Sequence, residues 1–208
     1  MQWLAKCVFG GLMLGALALV ASSNVQSGEK KSVKQKAALK VKVGDTAPSF
    51  EGVDENGKSF KSSDVVGKKI LVLYFYPADF TGGCTKQACG FRDEIEKLNS
   101  AGVAVIGVSG DSASTHKLFK SHHKLNFPLL ADETGAVAKT FGVPVGKGGE
   151  SPTIGANGEK GKAARGVTIS RWTVVIDKAG KVAAIDQVGN AGDDAKRIEA
   201  LVKNLDTK

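Results

Sequence analysis

ILVLYFYPADFTGGCTKQACGFRDEIEKLNSAGVAVIGVS, residues 70–109, holds a buried strand, a turn, a helix and a second buried strand in one continuous stretch. Ile70 to Tyr76 has no polar break except the tyrosine hydroxyls, the composition of a strand covered on both faces. Residues 84–100 then set Phe91, Ile95 and Leu98 at helical spacing, with Asn99 to Gly102 as the stop. Val103 to Ser109 is a second strand of the same buried kind. Strand, helix and strand in this order predict parallel neighbours in an α/β sheet.

The pattern continues in both directions. Upstream, SFEGVDENGKSF (49–60) alternates around Asn56-Gly57, a strong short hairpin signal. Downstream, Ser112 to Leu125 is helical by pattern, with Leu118, Phe119 and Leu125 on one side and Ser112 or Ser114 able to cap. FPLLAD (127–132) is a short strand, and Thr134 to Phe141 a short helix closed by Gly142 and Pro144. VTISRWTVVID (167–177) and KVAAIDQ (181–187) are two more strands, and Asp193 to Leu205 is an amphipathic helix that buries Ile198, Leu201, Val202 and Leu205. Its Asp193 and Asp194 complement the helix dipole. Together these elements predict an α/β domain of thioredoxin-like fold: a central mixed, mostly parallel sheet flanked by helices, with an N-terminal β-hairpin. Residues 145–166 interrupt the rhythm; rich in glycine and lysine and poor in core material, they are expected to form a long functional or mobile loop. No Gly-x-x-x-x-Gly-Lys-Ser/Thr pattern supports a phosphate cradle there.

The N-terminal residues differ in kind. MQWLAKCVFGGLMLGALALVASS (1–23) has Lys6, an apolar run from Val8 to Ala21 and then small residues. That run is shorter than the roughly 20 residues of a spanning helix, so 1–23 reads as a signal peptide, with an N-terminal anchor as the alternative. Residues 24–42 read as a basic flexible tether. The protein is thus expected to be exported, periplasmic or secreted, and membrane-tethered if the leader stays on. The chain has 29 Lys+Arg against 21 Asp+Glu, a formal +8, but residues 1–42 hold seven lysines against one glutamate, so the body from 43 to 208 is nearly neutral. With aromatics at 6% and no basic-aromatic surface, no nucleic acid is expected as a partner. The near-neutral body is compatible with a monomer.

The chemistry centres on Cys84. A cysteine opening a helix faces the free N–H groups and partial positive charge of the helix end, which favour the thiolate, the reactive form. Gly82 and Gly83 let main-chain N–H groups approach a small ligand. Thr81 can donate and accept, which suits a peroxide with one oxygen attacked and one leaving. Of the three cysteines Cys7 lies in the leader, so Cys84 and Cys89 are the pair left in the body.

Pro77-x-x-x-Thr81-x-x-Cys84, with Cys89 five residues on, resembles the active-site signature of the peroxiredoxins and the cysteine spacing of their peroxiredoxin Q, or bacterioferritin comigratory, subgroup. The similarity runs from about Lys42 to the C-terminus, through Val43-Gly44-Asp45-x-Ala47-Pro48-x-Phe50, Gly107 to Ser112 and Arg171-x-Thr173-Val174-Val175-Ile176-Asp177. The resemblance implies a thiol-dependent peroxidase acting on hydrogen peroxide and organic hydroperoxides, with thioredoxin or a similar thiol reductant and no cofactor or metal. By it, Cys84 is the peroxidatic cysteine and Cys89 the resolving one, forming an intramolecular disulfide. Thr81 orients the peroxide, Pro77 shields the sulfur, and Arg171 stabilises the thiolate and polarises the peroxide.

On an intact helix residues five apart rise about 7.5 Å and point about 140° apart. That exceeds the Cα separation of about 7 Å a disulfide allows, so the first turns are expected to unwind on oxidation, helped by Gly90. Two departures from the signature stand out: Gly82 where the family has proline, expected to loosen the loop, and Gln87 where the subgroup commonly has glutamate, expected to cost Arg171 an ion pair. The competing readings are an exported thioredoxin-like thiol-disulfide oxidoreductase, whose Cys-x-x-Cys spacing is absent, and a copper-binding redox chaperone using His116, His122 or His123. The histidines lie on a polar helical pattern and are expected to face solvent. A third reading, a non-catalytic interaction protein, requires Cys84 to be unreactive.

Overall fold

The structure, a computed structural model, describes residues 41–205; the leader 1–23 and nearly all of the tether lie outside them. Strand β3 (Ile70–Phe75) is buried at every position. Its alternate residues feed two cores, because successive side chains on a strand point to opposite faces. Ile70, Val72 and Tyr74 join one core, and Leu71, Leu73 and Phe75 the other. Helix α1 (Gly82–Ser100) covers the first face with Ala88, Phe91, Ile95 and Leu98. Strand β4 (Val103–Ser109) returns parallel to β3, Val72 opposite Val105, as the strand-helix-strand reading predicts.

Around this unit the sheet runs β2 (Ser59–Lys61), β1 (Glu51–Asp54), β5 (Leu129–Ala131), β4, β3, β8 (Trp172–Ile176), β9 (Val182–Gln187). β3, β4 and β5 are parallel, while β1, β2, β8 and β9 attach by antiparallel pairing. Tracing those pairings, only β1 and β8 oppose the rest, so the sheet is mixed with most strands pointing one way. Helix α2 (Ala113–His123) is capped by Ser112, whose hydroxyl accepts from Thr115 N at 3.3 Å. It joins α1 and α4 (Asp194–Leu205) on the first face through Phe119, Ile198 and Val202, whereas α3 (Ala136–Thr140) closes the second with Val137 and Ala138.

Two sequence expectations are corrected here. Residues 145–166 are not a loop: β6 (Val145–Ile154) and β7 (Lys160–Ile169) form a ten-residue-per-strand antiparallel ribbon. Main-chain pairing builds it, with Asn157-Gly158 in the turn and Gly158 at φ +83°. Glycines on both sides let it pack closely: a Cβ on Gly110, just after β4, would lie 2.2 Å from Val167 O, and one on the ribbon's Gly166 would lie 2.1 Å from Glu133 O. The tether boundary also moves. Val41 is buried in the second core and Lys42 N donates to Asp45 Oδ2 at 2.9 Å, so the folded part takes in the last two residues of 24–42.

Candidate active site

Helix α1 begins at Gly82, two residues ahead of the cysteine that the sequence placed at its opening. Thr81 is the N-cap, with extended backbone, and its carbonyl takes the first helical bond from Thr85 N at 2.8 Å. The N–H groups of Gly82, Gly83 and Cys84 therefore have no acceptor within the helix. The Thr81 hydroxyl does not cap; it donates to Ala78 O at 3.0 Å, which leaves its lone pairs as acceptors beside the helix end. Cys84 sits in this first turn, 1% exposed and with a free thiol.

Arg171 reaches the sulfur from the other side of the sequence. It occupies the break between β7 and β8, and its Nη2 donates to Cys84 Sγ at 3.2 Å. Gly83 makes room: a Cβ there would lie 3.2 Å from Arg171 Nη2. Gln87 offers Arg171 no ion pair, yet it still supports the arginine, because Arg171 Nη1 donates to Gln87 Oε1 at 2.5 Å. An amide oxygen thus does the holding without adding a negative charge, and among the described residues no carboxylate forms a salt bridge with Arg171. The guanidinium keeps its charge for the sulfur and whatever binds beside it.

A second polar cluster fixes the loop between β3 and α1. Asp79, fully buried, accepts from Tyr76 Oη at 2.7 Å and pairs with His116 Nδ1 at 2.8 Å. Its own N–H donates to Asp111 Oδ2 at 2.9 Å, which also accepts from Ser109 Oγ at 2.6 Å. His116 Nε2 faces Leu130 O at 3.1 Å, so both ring nitrogens meet acceptors. Burial alone pushes the His116 pKa down, but the Asp79 and Asp111 carboxylates and the Leu130 carbonyl more than reverse it, and the net shift is upward. His116 is therefore not solvent-facing, contrary to the reading of its helix: it is fully buried and holds a charge pair. His122 is exposed, and His123 is half-buried against Phe119 and Phe80, with centroids at 4.9 Å and 5.9 Å. Among the described residues no group of three or more His, Cys, Asp and Glu is placed to hold a metal ion.

Pro77, half-buried, lies in the loop just after β3. Cys89 lies further along α1, half-buried and free, so Cys84 and Cys89 are both reduced on one unbroken helix. The structure thus brings Cys84, Arg171 and Gln87 into one hydrogen-bonded group, sets Thr81 at the helix end beside them and holds Cys89 apart. Sequence reasoning missed Asp79 and set His116 at the surface. Their pairing spans 37 positions and leaves no local pattern.

Residues 43–185 match the AhpC/TSA family. The chain is 39% identical over 184 residues to the chloroplastic peroxiredoxin Q of Populus jackii, covering 88% of this chain and 77% of that protein. It is 41% identical over 187 residues to that of Arabidopsis thaliana, covering 90% and 77%. The chain belongs to the peroxiredoxins. Among solved structures it is similar to the peroxidoxin BcpB of Mycobacterium tuberculosis, with a TM-score of 0.65 and 30% identity over 79% of this chain and 98% of that one. The Xanthomonas campestris peroxiredoxin Q, at 24% identity, TM-score 0.63 and coverage of 80% and 97%, shares the fold. The protein is accordingly a thiol-dependent peroxidase of the peroxiredoxin Q type and thioredoxin-like fold, taking a peroxide as substrate and a thioredoxin-type reductant.

Proposed function

We propose that Cys84 is the peroxidatic cysteine and Cys89 the resolving one, in a cycle that keeps both on this chain. The observation that carries the assignment is Arg171 Nη2 at 3.2 Å from Cys84 Sγ, at a helix end with unbonded N–H groups. The Cys84 thiolate attacks one oxygen of a hydroperoxide. The O–O bond breaks, the sulfur becomes a sulfenic acid, and the leaving alkoxide or hydroxide takes a proton to depart as alcohol or water. Arg171 steadies the thiolate and the charge developing on the peroxide, Thr81 accepts from the peroxide O–H, and Pro77 shields the sulfur from bulk water.

The Cys89 thiolate then attacks the sulfenic sulfur, an S–S bond forms, and hydroxide leaves as water. Five residues of intact helix forbid this closure, so the turns carrying both cysteines open first. A dithiol reductant restores both thiols and is itself oxidised to a disulfide. Hydrogen peroxide and organic hydroperoxides both fit this chemistry. The near-neutral body supports a monomer that needs no nucleic acid, and the leader composition supports export, with membrane tethering if the leader is retained.

Peroxide consumption with a thiol reductant tests the assignment. Turnover is lost in Cys84→Ser, while Cys89→Ser depends on an added thiol to resolve the sulfenic acid. Turnover surviving Cys84→Ser would overturn it.

A further inference from the structure

Arg171 touches the sulfur and Gln87 touches Arg171, but Gln87 is itself fully buried and held from behind. Its Nε2 donates to Asp194 Oδ2 at 2.8 Å. Asp194, at the start of α4, has a side chain with no exposed surface. Every contact it makes is a donor aimed at it: Thr173 Oγ1 at 2.6 Å on Oδ2, and Arg197 Nη2 at 2.8 Å and Nε at 3.2 Å on Oδ1. An ionised carboxylate accepts only. Gln87 must therefore turn its NH2 toward Asp194, which leaves its oxygen for Arg171. A flipped amide would set its NH2 against the guanidinium's N–H groups and its oxygen against the Asp194 carboxylate.

The same turn of α4 braces α1 a second time. A Cβ built on Gly90 lies 3.7 Å from Gly192 O and from Ala195 Cβ, so the backbone of α1 rests directly on the start of α4. Gln87 and Gly90 bracket Cys89 in sequence. Gln87 lies between the two cysteines, so any opening of the helix that lets them meet must break its bonds to both Arg171 and Asp194.

We propose that Asp194 is a positioning residue that acts through Gln87 on both halves of the cycle: it keeps Arg171 on the Cys84 sulfur for peroxide attack and pins the first turns of α1 against disulfide closure. It touches no reacting atom. The proposal rests on the assignment of Cys84 as attacker and Cys89 as resolver, and it predicts that one substitution moves two steps in opposite directions.

The test is transient kinetics on the full chain, following sulfenic acid formation and disulfide closure separately. Asp194→Asn removes the acceptor-only group. The first step is expected to slow about tenfold and closure to speed up severalfold, the scale of one buried hydrogen bond to a charged group. In the double variant Gln87→Glu, Asp194→Asn the polarity of the contact is reversed. The new carboxylate at position 87 accepts from Arg171 and from the new amide at 194, so closure returns to within about twofold of wild type. This pair is expected to fold even where the single variant does not.

Unchanged rates in Asp194→Asn, both steps slowed together, or a double variant whose closure departs from wild type by more than that would each overturn the proposal. Failure of the underlying assignment looks different: wild type would form no sulfenic acid at Cys84.

Discussion

Two buried polar clusters meet the segment around Cys84, and they are built on different electrostatics. On the Arg171 side a neutral amide stands between the guanidinium and the Asp194 carboxylate, so the positive charge is aimed at the sulfur. On the Asp79 side charge is matched to charge within the cluster, His116 against Asp79 with Tyr76 and Asp111 around them, and none of these groups bonds to Cys84. The first cluster spends its charge on chemistry and the second on holding a loop in place. Variants in one should therefore change rate at nearly constant stability, and variants in the other should do the reverse.

Arg171→Met makes the sharpest break. It removes the one cation in contact with the sulfur among the described residues and keeps an unbranched apolar stem, so peroxide attack measured by stopped flow is expected to fall about a thousandfold, the upper range for one preorganised donor. The melting temperature should move by no more than a few degrees, since Arg171 forms no ion pair whose partner would be stranded among the described residues. A large loss of stability would show that the arginine holds the fold as well.

His116→Leu tests the other cluster. It leaves the Asp79 carboxylate buried without its cation, a loss of about 3 kcal/mol in denaturant unfolding. The sign of the pH dependence follows from the upward shift at His116. A raised histidine contributes stability that is fully present below its unfolded value near 6.5 and is lost as pH climbs through the higher folded value. Asp111 acts in the same direction: burial first, then the Asp79 charge, raise its pKa, so its ionisation costs stability above the ordinary carboxylate range. Wild-type unfolding free energy should thus decline on the alkaline side of pH 6.5, and His116→Leu should flatten that decline. A curve of the same slope in both proteins would remove His116 as its source.

The two clusters were unequally legible in the sequence, and so were the two hairpins. Cys84, Thr81 and Arg171 stood out because the signature is local and the arginine opens a β-branched strand. Gln87 was legible as a residue but not as a support, since its value depends on an acceptor 107 positions away. His116 is surrounded by Ser, Thr and Lys, and only the tertiary structure shows that its side chain turns inward. Asn56-Gly57 was read as a turn because apolar and polar residues alternate beside it. Asn157-Gly158 carries the same turn signal, yet its flanks are glycine and lysine with no period of two. There the ribbon is held by main-chain pairing and by glycines that let Gly166 N bond to Gly110 O at 3.0 Å, neither of which leaves an alternation to detect.

Within the helix end itself, the two glycines separate rate from stability on a finer scale. Gly83→Ala places a methyl 3.2 Å from Arg171 Nη2, so the guanidinium must give by a few tenths of an ångström. Alanine is also the better helix former, by up to about 1 kcal/mol. The variant is expected to be slightly more stable and severalfold slower in peroxide attack, and a faster enzyme would mean that Arg171 is not in its working position here.

Gly82→Pro should do least. Position 82 is the first residue of α1 after the Thr81 cap, where proline's fixed φ suits the helix and its missing N–H removes a donor that the helix does not use. A Cβ there meets nothing within 4 Å. Proline restricts the unfolded chain, so unfolding should cost about 0.5 kcal/mol more, with peroxide attack within about twofold of wild type. The expectation that glycine loosens this turn then reduces to an effect on the unfolded chain alone. A rate loss of tenfold or more would instead mark the Gly82 N–H as a donor to the bound peroxide, since that N–H is the one hydrogen-bonding group the substitution removes.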